Sequence, residues 1–254
     1  MIEVIDSVDA ARRRLASLRR DGRSIGFVPT MGALHDGHLS LIEAARAETD
    51  TVVVSIFVNP TQYDDPADLA HYPRTLRRDL EAVQRAGADL ALTPTEADVY
   101  PDGYRYKVTE TELSGVLEGA HRAGHFDGVL TVVLKLLNIV RPHRAYFGEK
   151  DWQQLALVRG MVAAFFIDTD VVACPIVREP DGLAMSSRNV HLTPDERAVA
   201  PELYRVLSGG GSSDEMAAEL ERAGFDVDYV AQHEGRVLAA VRLGKVRLID
   251  NVPL

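Results

Sequence analysis

Two histidines three residues apart, His35 and His38, with Gly37 between them, carry the strongest chemical signal in the chain. They lie in IGFVPTMGALHDGHLSLI (25–42), behind one apolar run and ahead of another. An imidazolium at that point can follow the negative charge that grows on a phosphate during a displacement. The loop also brings unpaired backbone N–H groups and the positive end of a helix dipole to one place, which favours an anion. Two other readings compete: half of a zinc site, or two loop residues without chemistry. Zinc takes three or four ligands and Cys174 is the only cysteine, so a cysteine-based site is excluded. The H-x-G-H tetrad two residues behind Thr30-Met31-Gly32 favours nucleotide binding.

The flanking residues say what must hold that loop. Ile25, Phe27 and Val28 read as a buried strand over 24–28, broken by Pro29-Thr30, while Leu39, Leu41 and Ile42 begin an amphipathic helix near His38. Upstream, Ser7 can cap a helix whose Val8, Ala11, Leu15 and Leu18 form an apolar stripe, ended by Gly22. Downstream, TVVVSIFV (51–58) is a β-branched run of the kind found in parallel strands covered on both faces. The alternation continues with a helix near 74–86, a strand at 89–92, a helix over 128–140 and a strand at 145–147. A helix opening at GEKD and running to Phe166, then a strand at 170–173, complete it. The pattern predicts an α/β domain over 1–177, a Rossmann-like, doubly wound parallel sheet.

From 178 to 254 the texture changes. Thr193-Pro194-Asp195-Glu196 opens a helix to Leu207, the run GGGSS (209–213) follows, and a second helix spans 214–223. FDVDYVA, RVLAAVRL and KVRLID read as short strands, with turn signals at Glu234-Gly235 and Gly244-Lys245. The expectation is a smaller C-terminal α+β domain that acts as a lid. A formal charge of −10 over 254 residues argues against a wide nucleic-acid surface. The single cysteine precludes an internal disulfide, and neither an apolar leader nor a membrane span stands out, so a cytoplasmic location is expected.

Other motifs fall at the carboxyl ends of predicted strands, where open parallel sheets bind ligands. Gln62, in NPTQY, has an amide able to bond a hydroxyl and a carboxylate. In GEKD, Gly148 admits a nucleotide to the backbone, Lys150 offers a compact charge and Asp151 can accept ribose hydroxyls. Alone, GEKD equally describes a surface helix cap. Gln154 lies one turn on, facing the way Lys150 does. In MSSRN (185–189) two hydroxyls and Arg188 can clamp a polyphosphate, although such a triplet means little in isolation. Arg122 and His125 sit in a glycine-bounded loop, and nothing in the sequence chooses a role for them.

Taken in order, PTMGALHDGH, FVNPTQY, FGEKDWQQ and GLAMSSRN resemble the pantoate–β-alanine ligases, a likeness that runs from about Ile25 to Asn189 and returns at RLGKVRLIDN. The H-x-G-H and MSSRN segments are also similar to the nucleotide signatures of the wider class I aminoacyl-tRNA synthetase and nucleotidyltransferase superfamily. The resemblance implies that pantoate is adenylated by ATP and that β-alanine then displaces AMP, making pantothenate. By position it implies an ATP site of Pro29, Thr30, Met31, Gly32, Ala33, Leu34, His35, Asp36, Gly37 and His38. Gly148, Glu149, Lys150, Asp151, Val177, Met185, Ser186, Ser187 and Arg188 complete it. His38, His35, Lys150 and Arg188 are the implied catalytic set, and Gln62 and Gln154 the substrate-gripping pair. Mg²⁺ would ride on the ATP phosphates without a protein cage, and a homodimer is implied. The glycine-rich segment 208–237 is shorter than the family pattern leads one to expect.

Overall fold

The computed structural model describes residues 2–64 and 66–254. Two compact units divide the chain, one built from residues up to Gly148 with Gln153–Cys174, the other from Glu149–Trp152 with Pro175–Leu254.

The first unit alternates strand and helix: β1 (Glu3–Ile5), α1 (Val8–Arg20), β2 (Ile25–Thr30), α2 (Asp36–Glu48), β3 (Thr51–Ile56), α3 (Pro66–His71) and α4 (Leu76–Arg85) come first. β4 (Leu90–Leu92), α5 (Glu96–Val99), α6 (Glu118–His121), α7 (His125–Val140), β5 (Arg144–Gly148), α8 (Trp152–Ala164) and β6 (Asp170–Cys174) follow. The Ser7 hydroxyl accepts from the Ala10 N–H, and Ala11, Leu15 and Leu18 form the buried stripe of α1. The strands lie parallel in the order β1-β4-β3-β2-β5-β6, as expected for a doubly wound sheet. β2 is the strand from which the chain winds both ways, since it pairs with β3 on one side and β5 on the other. The gap beyond the carboxyl ends of β2 and β5 is therefore the switch point, where such sheets take ligands.

Alternation along β2 and β3 explains the double cover. Ile25, Phe27 and Val53 join the core with Leu15 and Leu130, while Val28, Val52 and Val54 join the one with Ile42 and Val83. Burying a side chain such as Phe27 contributes about 2–3 kcal/mol. Gly26 is required for close approach, because a Cβ there would lie 2.5 Å from Thr49 Oγ1 and 3.3 Å from the Ala45 methyl of α2.

In the second unit α9 (Pro194–Val199), α10 (Glu202–Gly209) and α11 (Ser213–Arg222) precede the antiparallel strands β7 (Asp226–His233), β8 (Arg236–Leu243) and β9 (Val246–Pro253). Leu203, Leu207, Met216 and Leu220 share its core with Val237, Ala239 and Val241. Both expected hairpins form, closed by the pairs His233–Arg236 and Leu243–Val246. Glu234 and Gly235 both take positive φ, +45° and +75°, which matches the turn twist to that of the strands. The segment 208–237 holds all of α11 and β7.

Some boundaries differ from expectation. The helix expected from Thr193 to Leu207 is broken into α9 and α10, since Pro201 has no N–H to donate and its ring crowds the preceding turn. α2 starts at Asp36 with His35 as its N-cap, and α7 starts at His125 behind Gly124, whose φ is +75°. β1 lies outside the expected elements, because three residues carry too little periodicity.

Candidate active site

The loop from Thr30 to His38 is held residue by residue. The Thr30 hydroxyl donates to Ser55 O at 2.7 Å, tying the end of β2 to β3. Gly32 and Ala33 both take left-handed backbone, φ +83° and +51°. Such a conformation costs an alanine about 1 kcal/mol or more, so neighbouring contacts must hold it. Asp79 does so from α4. Its carboxylate accepts from Ala33 N at 3.1 Å, Leu34 N at 3.0 Å and the Thr75 hydroxyl at 3.1 Å, and the residue is 2% exposed. Two N–H groups of the loop that the sequence offered to an anion thus already bind an internal carboxylate. The Tyr72 hydroxyl donates to Gly32 O at 3.2 Å, and that of Tyr63 to the Met31 sulfur at 3.7 Å.

Within this frame His35 and His38 come together, with ring centroids 4.1 Å apart. His38 Nδ1 accepts from the His35 N–H at 3.4 Å, and the His38 N–H donates to His35 O at 2.8 Å. With Nδ1 an acceptor, the neutral ring carries its proton on Nε2. The His38 ring is therefore oriented at the first turn of α2 by its Nδ1 contact.

Gln62 ends a single helical turn, Pro60–Gln62, that follows β3. Its fixing point is Asn59, 1% exposed. Asn59 Oδ1 accepts from the Tyr100 hydroxyl at 2.7 Å, and burial pushes the Tyr100 phenol up to about 12, so this donor keeps its proton. Asn59 Nδ2 then donates to Gln62 Oε1 at 2.9 Å and Gly128 O at 3.3 Å. With its carbonyl oxygen engaged, Gln62 is left to present its amide N–H groups.

The backbone of Gln62 is gripped from α7 as well. His125 Nδ1 donates to Gln62 O at 2.8 Å, and His125 Nε2 accepts from Arg122 at 3.1 Å. Burial, and secondarily the Arg122 guanidinium, lower the imidazole to about 4. Arg122 also pairs with Asp64 at 3.3 Å. The arginine and histidine that the sequence left without a role therefore support the Gln62 turn.

Gly148 closes β5, and Gln154 lies in α8 beside Gln153. Gln153 turns inward, donating to Leu113 O and Val116 O and accepting from the Glu118 N–H.

In the second unit, Glu149, Lys150 and Asp151 form one tight helical turn, with Lys150 Nζ 3.7 Å from the Asp151 carboxylate. Val177 and Met185 are brought together, since the Met185 N–H donates to Val177 O at 3.0 Å and Arg178 bridges Ala184. Ser186 caps the turn Ser187–His191 by accepting from Arg188 N. Asn189 fastens that turn, donating to Ala184 O at 3.1 Å and the Glu179 carboxylate at 3.2 Å.

Sequence reasoning missed Asp79, Asn59, Tyr100 and Gly128. Asp79 reads as one more surface carboxylate in LRRDLEAVQR, and only the packed structure turns it onto a loop 45 residues away. Among the described residues no three His, Cys, Asp or Glu side chains are grouped to hold a metal, and no helix is long and apolar enough to cross a membrane.

A doubly wound sheet with an oriented histidine pair at its switch point belongs to the nucleotide-dependent α/β enzymes. The model of the pantoate-beta-alanine ligase family matches residues 3–253, and the chain belongs to that family. It is 55% identical over 236 residues to the pantothenate synthetase of Bdellovibrio bacteriovorus, covering 93% of this chain and 94% of the relative. It is 46% identical over 253 residues to that of Coxiella burnetii, covering 100% and 96%. The pantoate-beta-alanine ligase of Francisella tularensis, solved with beta-gamma ATP and beta-alanine, superposes with a TM-score of 0.94 at 41% identity, covering 100% of this chain and 98% of that one. The pantothenate synthetase of Thermus thermophilus gives 0.90 at 44%, with 99% of each covered. The chain is accordingly an ATP-dependent ligase of pantothenate biosynthesis.

Proposed function

We propose that this enzyme joins pantoate to β-alanine through a pantoyl adenylate, with roles assigned to residues as follows. A pantoate carboxylate oxygen attacks the α-phosphorus of ATP. The new O–P bond forms as the bond to the bridging oxygen breaks, and pyrophosphate leaves with that electron pair. The amine of β-alanine then attacks the acyl carbon, the C–O bond to AMP breaks, and the amine proton passes to solvent. Adenylation is needed because a free carboxylate has no good leaving group.

The orientation of His38 carries this reading. An Nε2–H fixed by a backbone bond to Nδ1 is a preorganised donor for charge that builds on the phosphates, an interaction worth about 3 kcal/mol in comparable sites. His35 assists at the same phosphates. Lys150 supplies a compact charge and Arg188 a forked one. The loop Pro29–Gly37, with Gly148, Glu149, Asp151, Val177, Met185, Ser186 and Ser187, lines the nucleotide. Gln62, its N–H groups directed by Asn59, binds pantoate together with Gln154.

Mg²⁺ accompanies ATP and neutralises charge on the phosphate oxygens, a reading supported by the preference of this hard cation for substrate phosphates over an all-protein cage. The enzyme acts as a homodimer in the cytoplasm, a reading supported by the family resemblance and, for the compartment, by the single cysteine.

The test is product analysis. AMP and pyrophosphate should accumulate over many turnovers in a one-to-one ratio only with pantoate and β-alanine both present, while pantoate alone should release at most one pyrophosphate per site. ADP and phosphate as products would overturn the proposal.

A further inference from the structure

The Asp250-Asn251 pair near the end of β9 is part of a segment that resembles the family yet has no place in the reaction so far. Along β9, Val246, Leu248 and Val252 enter the apolar core, so Asn251 projects from the opposite face. It is nonetheless 1% exposed. A buried amide must have its bonds satisfied, and all of this one's are. Nδ2 donates to Glu149 O at 2.9 Å and to Lys150 O at 3.0 Å, across about a hundred residues of sequence. Oδ1 accepts from Arg236 Nε at 2.7 Å. The backbone at this point is fastened too, because the Asn251 N–H donates to Asp250 Oδ1 at 2.7 Å. Asp250 in turn is held by both terminal guanidinium nitrogens of Arg178, at 2.6 and 2.9 Å.

The consequence for the turn is geometric. In a trans peptide the C=O and the following N–H point in opposite directions, and the described residues include no cis peptides. With the carbonyls of Glu149 and Lys150 both drawn to Asn251, the N–H groups of Lys150 and Asp151 face away from it. Two successive donors aimed the same way, on a turn that bears a lysine, form a receptor for an anionic oxygen.

We infer that Asn251 is a positioning residue for ATP, one that turns the Lys150 and Asp151 N–H groups and the Lys150 stem toward the polyphosphate. This rests on the assignment of Lys150 to the phosphates. Arg236 is the anchor that keeps the amide from rotating. The Asp250–Arg178 pair sets the strand end from which Asn251 reaches.

Pantoate-dependent exchange of labelled pyrophosphate into ATP tests this with Asn251→Ala, Lys150→Ala, the double variant, and Arg236→Ala as a milder change that keeps the amide. Asn251→Ala should lower kcat/KM for ATP at least tenfold while the KM for pantoate stays within twofold. Arg236→Ala should move the same parameter in the same direction by a smaller factor, and it serves alone if Asn251→Ala does not fold. The double variant should fall short of full multiplication of the two single effects, since both changes weaken one receptor, Lys150→Ala by removing its charge and Asn251→Ala by releasing its backbone. An Asn251→Ala or Arg236→Ala enzyme with unchanged ATP kinetics would overturn the inference. So would equal losses toward ATP and pantoate, or full multiplication of the two single effects. Wild-type exchange in Lys150→Ala would instead overturn the phosphate assignment beneath it.

Discussion

The chemistry of single side chains here depends on partners that aim them. Asp79 is the clearest case, because two of its bonds set the loop that delivers the histidines. Asp79→Asn keeps the size but turns an amide N–H toward a loop N–H, and an unsatisfied buried donor costs about 1–3 kcal/mol. Pyrophosphate exchange should fall by about tenfold or more, against about a hundredfold for His38→Ala. Unchanged exchange in Asp79→Asn would show that the loop holds itself. His125 gives a pH prediction. Its folded value, about 4, lies below the unfolded value of about 6.5, so the folded state resists protonation. Above that window the group has no effect. As pH falls from 6.5 to 4, the unfolded chain gains a proton that the folded chain refuses, and up to about 3 kcal/mol of stability is lost. His125→Asn can still donate to Gln62 O but does not titrate. Urea unfolding at pH 7.5 and 4.5 should show wild type losing about 2–3 kcal/mol more than the variant. Parallel losses would mean that His125 is protonated in the folded state.

At the scale of elements, the Gln62 turn and α7 touch without side chains between them. A Cβ on Gly128 would lie 2.3 Å from Thr61 O, and a backbone oxygen cannot swing away as a side chain can. Gly128→Ala should lift the turn off the helix and raise the KM for pantoate about tenfold or more, a cost of about 1.4 kcal/mol or more, with that for ATP little changed. Steady-state kinetics with each substrate varied will show it, and equal effects on both would contradict this seating of Gln62. Such contacts are invisible in the sequence, where Gly128 is merely a glycine ahead of an apolar run. What the residues did disclose was set by local pattern. The β-branched run of β3, the apolar run of β2 and the hairpin at Glu234-Gly235 were legible from local pattern and turn chemistry. The stretch between β4 and α7 was not, because α5 and α6 are four-residue helices that carry no period. Pro201, inside the helix expected from Thr193 to Leu207, is what divides it into α9 and α10.

For the molecule as a whole, an acidic chain that handles a polyanion must rely on local donors, since its net charge of −10 gives ATP no long-range attraction. The histidines, Gln62, Lys150 and Arg188 stand out in the sequence because their motifs recur in order in a known family. Their supports do not, because Asp79 and Asn251 act across tens to a hundred residues of chain, and Asn59 is itself fixed from Tyr100 and Gly128. The central claim is that the pantoate carboxylate, not water or the β-alanine amine, attacks the α-phosphorus. Pantoate labelled with ¹⁸O in its carboxylate decides it directly by mass spectrometry of the products. One labelled oxygen should appear in AMP for each amide formed, carried there when β-alanine cleaves the acyl–oxygen bond, and none in pyrophosphate. Unlabelled AMP, or label in pyrophosphate, would contradict the adenylate and with it the roles given to the loop histidines.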